Sequence, residues 1–493
     1  MSTQHPDHAN APFWHDKAFI NTSNEAKETF VAFSELGITE YKWDWEGKLV
    51  DESVLERLFG EHFEFFKKNP LGQEKFITFR LPNPKIETEF RIGRAFMNLA
   101  SAASTAKYFG LPTPPLFEVI LPMTDNAEEL FALNEAYVQI HKLSHPLYRL
   151  ENILTNLRVI PLFEDVESIL NSDKIIERYL SLYKNKFKKL PPYFRPYVAR
   201  SDPALNFGMI PTVLAIKVAL YKYKKLSEKM KIPFYPIIGA AVLPFRGGID
   251  PVNIKKFVSE YKGIRTTTIQ SAFKYDFDKK DVIKAIKYLE DTLPKSLAQD
   301  VSLDDETDIR EIIPVFEKYY RLTIEQIAPL INSVSSHLPK RRERVQHVGL
   351  FGYSRGVGGV KLPRAIGFTG ALYSIGVPPE FIGTGRGLVI AKKTGKLNLI
   401  KKYYQYLSED MDQAGRYLNT DNLQRLSKDS DGWKEIAEDI KSIEDVLGIK
   451  LGPKTKDELA HKKLTDKIYS KMKSGKSPMV EITKSAILRR SLG

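Results

Sequence analysis

The chain has 493 residues, 42% of them hydrophobic and 27% charged, the make-up of a globular protein with enough apolar material for a large core. It contains no cysteine, which excludes disulfides, zinc–thiolate sites and cysteine nucleophiles. A net charge of +13 and a pI of 9.3 admit nucleic acid or an anionic small molecule as partner. The basic clumps at 184–189, 340–344 and 454–476 carry neither interleaved aromatics nor zinc-finger spacing, so they read as solvated surface and no nucleic-acid partner is expected.

From the first residue onward, 1–11 is polar and shows no signal peptide, and the longest apolar run, near 235–245, is too short to cross a bilayer. A cytoplasmic location without membrane attachment is expected. Ser2-Thr-Gln-His-Pro-Asp7 puts a histidine in what composition alone describes as a solvated tail. Trp43-Asp-Trp-Glu-Gly-Lys48 reads as a capped turn before a helix over 52–68, where Val54, Leu55, Leu58, Phe59, Phe63 and Phe66 recur at helical spacing. Short apolar runs then follow at 76–81, 116–121, 157–162, 196–199, 234–239, 266–270 and 347–351. Segments of helical period lie between most of them, at 92–109, 127–143, 168–183, 212–230, 254–261, 281–293 and 308–335. This alternation argues for parallel strands with crossover helices. Seven strands and an unclear eighth around 381–385 predict a closed, TIM-like (β/α)8 barrel with many additional helices, an open doubly wound sheet being the alternative. After about residue 396 the chain is lysine-rich and amphipathic, with helices expected at 397–408, 423–447 and 456–473. No linker long enough to separate distinct domains is visible, so 1–493 reads as a single domain: a barrel over about 70–390 and a helical layer over about 396–493.

The strand ends carry the functional signal. The runs ending at Glu164 and Asp202 flank a helix-like segment. In a parallel strand–helix–strand unit their C-terminal ends share one sheet edge, where two carboxylates call for a cation between them, usually a divalent metal. Arg80, Arg200, Arg246 and Arg355 also stand at or just after strand ends, and Gln270 closes another. Arginines and acids at one barrel mouth describe a metal-and-phosphate site. Gly247-Gly248 and Gly356-Val-Gly-Gly359 allow the backbone to approach an anion, and no Walker-type phosphate loop is present.

Taken together, Ser2-Thr-Gln-His-Pro-Asp7, Trp43-Asp-Trp-Glu-Gly-Lys48, Phe117-Glu-Val-Ile-Leu-Pro-Met-Thr124, Ala199-Arg-Ser-Asp-Pro-Ala204, Phe245-Arg-Gly-Gly248, Gln270-Ser-Ala-Phe-Lys-Tyr275 and Gly349-Leu-Phe-Gly-Tyr-Ser-Arg355 resemble phosphoenolpyruvate carboxylase of the short, archaeal type. The resemblance runs in order from residue 2 to about 385; beyond that the chain resembles the family only in being helical and basic. It implies that phosphoenolpyruvate and bicarbonate give oxaloacetate and phosphate, through carboxyphosphate and an enolate, with Mg2+ or Mn2+ and without biotin. It also implies an α/β barrel, usually assembled as a homotetramer. By position, Glu164 and Asp202 match the family's metal ligands, and His5 its catalytic histidine. Arg80, Arg246, Arg355 and Arg364 match its anion-binding arginines, Arg246 and Arg355 being assigned with His5 to catalysis.

Two departures stand out. The histidine and arginine that the long enzymes carry before their Arg-Gly-Gly are replaced here by Gly239-Ala-Ala-Val-Leu243, and their lysine after the metal aspartate is missing near Leu205. Arg200, Lys274 and Lys361 are candidates for the missing anion contacts, Arg80, Arg200, Arg364, Gln270 and Lys274 being assigned to substrate binding. The rival within the same fold class is another metal-dependent lyase or aldolase of the phosphoenolpyruvate/pyruvate barrel type. The rival outside it is a basic nucleic-acid-binding protein on the same scaffold. Placing His5 at a barrel mouth also requires that residues 2–7 be ordered, since a loose tail cannot hold a base within hydrogen-bond reach.

Overall fold

Seven short strands pair side by side in parallel, each with the next in sequence: β1 (Glu40–Asp44), β2 (Phe76–Arg80), β3 (Glu118–Leu121), β4 (Arg158–Phe163), β5 (Tyr197–Ala199), β6 (Ile237–Gly239) and β7 (Thr266–Thr267). This is a computed structural model, and it describes residues 1–48, 50–87, 90–148, 157–343, 355–357 and 360–493. One or two helices cross over between successive strands, from Val54–Lys68 after β1 to Ile254–Glu260 after β6. The crossovers are what parallel pairing requires.

The first residues of the chain complete the ring. Ser2 bridges Tyr41 on one side and Ile269 on the other, parallel to both. Ser2 N–H donates to Glu40 O (2.8 Å), Lys42 N–H to Ser2 O (2.8 Å), Thr3 N–H to Ile269 O (3.1 Å) and Ile269 N–H to Met1 O (2.8 Å). Residues 1–3 are therefore an eighth stave between β7 and β1. The expected strand at 347–351 lies outside the described residues. The unclear eighth strand at 381–385 is instead a 3-10 turn, Pro379–Phe381, leading into the helix Thr384–Lys393. The staves thus begin at the first residues and not near 70.

The turn expected over 43–48 is found at 46–48, but residues 40–44, which no periodicity marked, run into it as the strand β1. Its alternation is inverted relative to an ordinary half-buried strand: Tyr41 and Trp43 face the helices in the outer core, while Glu40, Lys42 and Asp44 occupy the opposite face and are also buried. The polar face points into the barrel because the barrel holds polar layers. At the bottom, Arg195 forks onto Glu40 (2.9 and 2.7 Å) and also meets Glu118, with Thr78 Oγ1 donating to Glu40 (2.6 Å). Above it Ile120, Ile160, Leu162, Tyr197, Ala199 and Ile237 form a small apolar layer. This layer is separate from the large core between strands and helices. The layer above holds the site.

The 33-residue helix Leu303–Ser335 starts earlier than expected because the Ser302 side chain caps it, accepting from Asp305 N–H at 3.1 Å. It packs on the helices Ala365–Ser374, Thr384–Lys393 and Asp431–Leu447. The C-terminal region is helical as expected but more broken: Leu397–Tyr403 and Leu407–Gly415 replace one element, Thr420–Leu426 and Asp431–Leu447 another, while Lys456–Lys473 matches. Among the described residues no helix is long and apolar enough to cross a membrane.

Candidate active site

A cavity of about 250 Å3 opens at the C-terminal ends of the strands, where ligands of parallel barrels bind. Its walls include His5, Lys42, Glu46, Arg80, Glu164, Asp202, Arg246, Gln270 and Arg364. Residues far apart in sequence meet here because each stands at the same level of the ring. Glu164 immediately follows β4 and Asp202 lies in the first turn of the helix Ser201–Phe207 after β5, and β4 and β5 are paired neighbours. Glu164 Oε2 accepts the backbone N–H of Met123 at 2.9 Å. Met123 turns that N–H toward it by adopting a left-handed φ of 54°, a conformation costly outside glycine.

His5 reaches the cavity because the stave of residues 1–3 carries it there. Its Nδ1 lies 2.8 Å from Thr3 Oγ1. Burial, followed by the nearby charges of Lys42, Arg80 and Arg246, drives its pKa well below the ordinary histidine value, with Asp44 opposing. The imidazole is therefore neutral near pH 7.

Arg80 is fixed by two carboxylates: Nε donates to Asp44 Oδ1 (2.8 Å) and Nη1 meets Glu46 Oε2. Burial opposes its charge, but Asp44, Glu46 and Glu164 keep the guanidinium firmly protonated. Glu46 also faces Arg364, at 3.5 Å. Lys42, one pleat deeper on β1, places Nζ 3.3 Å from Asp44 Oδ1. Burial and the neighbouring Arg80 lower its pKa to about 8, against Asp44 and Glu46.

Arg246 Nη2 donates to Gln270 Oε1 (2.7 Å), Nε to Ser201 Oγ (3.2 Å), and Nη1 to Asp7 Oδ2 (3.4 Å) and to the backbone oxygen of Gly493. Its loop needs Gly247 at φ 119°, where a Cβ would lie 2.7 Å from that of Ala240.

Two expected substrate residues lie elsewhere. Arg200 is fully buried and absent from the cavity wall; it donates to Tyr261 Oη (3.0 Å), Phe245 O (3.0 Å) and Pro244 O (3.3 Å), and so supports the Arg246 loop from beneath. Lys274 is buried behind the N-terminal stave, on Ser2 Oγ (3.0 Å), Thr3 O (3.2 Å) and Glu28 (3.1 Å). Each follows a strand by only a few residues, but its helix or loop turns it away from the mouth. Arg355 opens a separate strand, β8 (Arg355–Val357), paired antiparallel with β9 (Val360–Leu362), and its side chain lies outside the described residues. Conversely, Lys42, Asp44 and Glu46 belong to the site although no sequence signal above singles them out. The signal that could have found them is the alternation Glu40-x-Lys42-x-Asp44, legible once the polar face is read as the inner one.

Among the described residues no group of three or more acidic or histidine side chains is poised around one metal position. Three carboxylates line the cavity: Glu46, which is held by Arg80 and Arg364, and Glu164 and Asp202, which form the candidate donor set for a cation. That set suits Mg2+, which keeps much of its water and takes one or two carboxylates alongside substrate oxygens.

A sequence profile described as phosphoenolpyruvate carboxylase matches residues 1–493. A phosphoenolpyruvate carboxylase of Leuconostoc mesenteroides is 38% identical over 498 aligned residues, covering 100% of this chain and 98% of that protein. One of Metallosphaera sedula is 38% identical over 520, covering 100% and 99%. One of Pyrococcus horikoshii is 39% identical over 454, covering 90% and 92%.

Proposed function

Because this chain belongs to the phosphoenolpyruvate carboxylase family and catalyses the carboxylation of phosphoenolpyruvate to oxaloacetate, we propose that the cavity at the barrel mouth is where that reaction occurs, and that His5, Arg80, Arg246, Arg364, Gln270, Glu164 and Asp202 carry it. The observation that supports this most strongly is the meeting of a half-buried neutral histidine, three carboxylates and three arginines around one cavity.

The reaction brings together two anions, so the first requirement is fixed positive charge. Arg80 is pre-set by Asp44 and Glu46, and Arg246 by Gln270 and Asp7, so neither has to be ordered when substrate arrives. Arg364 shares Glu46 with Arg80 and has a side chain 41% exposed, which suits a group that meets the incoming anion at the rim. A bicarbonate oxygen attacks phosphorus, the bond from phosphorus to the enol oxygen breaks, and its electron pair stays on that oxygen. The products are carboxyphosphate and pyruvate enolate. His5 then takes the carboxyl proton of carboxyphosphate, the bond to phosphate breaks, and CO2 is released beside the enolate carbon that attacks it. The proton on His5 leaves with phosphate. With Nδ1–H donating to Thr3 Oγ1, the lone pair on Nε2 is the base. Incoming anions offset the cations that depress its basicity, so His5 becomes a better base once substrates are bound.

Glu164 and Asp202 would hold a divalent cation, Mg2+ or Mn2+; when bound it supplies Lewis-acid stabilisation of oxygen charge. No biotin is required, since carboxyphosphate itself activates the carbon. Arg355 keeps its assignment as a further phosphate-side arginine on the strength of the motif Gly349-Leu-Phe-Gly-Tyr-Ser-Arg355. We further propose a cytoplasmic homotetramer. Bicarbonate carrying 18O in all positions tests the chemistry: labelled oxygen should appear in the released phosphate as well as in oxaloacetate. Phosphate free of label would refute direct attack of bicarbonate on phosphorus.

A further inference from the structure

The stave that carries His5 is only three residues long and makes few backbone hydrogen bonds. A slip of one residue would send every side chain to the other face, bringing Gln4 or Pro6 to the position of the base. Something has to fix the register, and the surrounding charges are arranged to do it. Lys274 Nζ donates to Ser2 Oγ (3.0 Å) and Thr3 O (3.2 Å). From the other side Lys48 Nζ donates to Gln4 Oε1 (2.7 Å), which also accepts the N–H of Asp44 (3.1 Å). Each lysine is matched by a glutamate of the helix Glu25–Ser34: Lys274 by Glu28 at 3.1 Å, Lys48 by Glu25. Arg342 braces both glutamates, Glu25 at 3.1 Å and Glu28 at 3.0 and 2.8 Å, and Tyr275 Oη adds a bond to Glu28 (2.8 Å). All five charged residues are buried. On the far side of His5, Asp7 Oδ1 accepts the N–H of Ala272 at 2.8 Å.

Burying five charges is a poor way to gain stability, because desolvation offsets most of the attraction. Its use lies in directionality: each bond is satisfied in one register only. We propose that Lys274 and Lys48, braced by Glu25, Glu28 and Arg342, form a register clamp whose task is to hold His5 at the cavity. These are positioning residues, acting through Thr3 and Gln4 without touching substrate. The inference rests on the catalytic assignment of His5 above.

The test is a double-mutant cycle on the full-length protein with Lys274→Met and His5→Asn. Oxaloacetate and pyruvate are both followed from phosphoenolpyruvate and bicarbonate. When the base is absent or displaced, enolate is protonated before CO2 is delivered, and pyruvate leaves instead. Lys274→Met is expected to lower oxaloacetate formation about tenfold or more with the KM for phosphoenolpyruvate within about threefold of wild type, and to raise the pyruvate share toward that of His5→Asn. In the His5→Asn background it should add no more than about twofold. Should the methionine variant fold poorly, Lys274→Arg keeps the charge but its planar fork cannot serve the same three acceptors; the same lack of additivity is expected with a smaller loss. Losses that multiply in the double variant, or a raised KM for phosphoenolpyruvate with the pyruvate share unmoved, would overturn the clamp. A wild-type chain that makes no oxaloacetate would instead remove the functional reading beneath it.

Discussion

Asp44 and Arg80 are register partners across β1 and β2, and the Nε of Arg80 donates to Asp44 Oδ1 at 2.8 Å. The pair is buried on both sides, so the guanidinium enters the cavity already aimed. Replacing Asp44 by Asn removes the charge that fixes it and leaves the shape. A buried charge-assisted bond of this kind contributes about 1.5–3 kcal/mol. Asp44→Asn is therefore expected to lower kcat/KM for phosphoenolpyruvate about ten- to a hundredfold, mainly through KM, as steady-state kinetics will show.

Lys42 exerts the largest charge effect on His5 after burial itself. Taking that cation away favours the protonated imidazole, so the neutral base is lost at a higher pH. Lys42→Met is expected to move the acidic limb of the kcat profile upward by about one pH unit. A pH–rate profile from pH 5 to 9 checks this, and an unmoved limb would separate Lys42 from the base.

Several residues that line the cavity were legible because side chains at strand ends leave a mark that survives without coordinates: an apolar run that stops at Glu164, or just before Asp202. What failed was orientation. Arg200 and Lys274 look like the other cations in the string, but the backbone after β5 and β7 turns them under the loops they support. β1 and the stave at residues 1–3 were hidden for a different reason. Their buried faces are polar, and hydrophobic periodicity treats a polar face as solvent. The helices between the strands, whose apolar stripe faces an apolar layer, were found to within about five residues, whereas Glu25–Ser34 and Ala365–Ser374 were not marked.

Glu380 holds the Arg246 loop from above: its Oε1 accepts Phe245 N–H (2.8 Å) and Tyr373 Oη–H (2.7 Å). Burial raises its pKa to about 7, so a neutral amide is a fair substitute. Glu380→Gln should retain kcat/KM within about threefold, whereas Glu380→Ala strands a buried N–H at a cost of about 1–3 kcal/mol and should lose about tenfold. Kinetics of the two variants side by side will decide.

His8 is buried with Nε2 2.8 Å from Ala18 O, and burial lowers its pKa to about 3. The unfolded chain takes up this proton below about pH 6.5 while the folded one does not, so stability falls as pH falls through that window. Per histidine the slope is about 1.4 kcal/mol per pH unit. His8→Gln keeps a donor for Ala18 and removes the titration. Urea unfolding should show wild type losing about 2 kcal/mol more than the variant between pH 7 and pH 5.

The most direct measurement couples oxaloacetate formation from phosphoenolpyruvate, bicarbonate and Mg2+ to malate dehydrogenase, in wild type and in Asp202→Asn. Wild type should form oxaloacetate, and the variant, with one of the two carboxylates proposed to hold the cation neutralised, should be slower by about a hundredfold or more. An Asp202→Asn protein that matches wild type would show that the carboxylates at this barrel mouth do not carry the reaction.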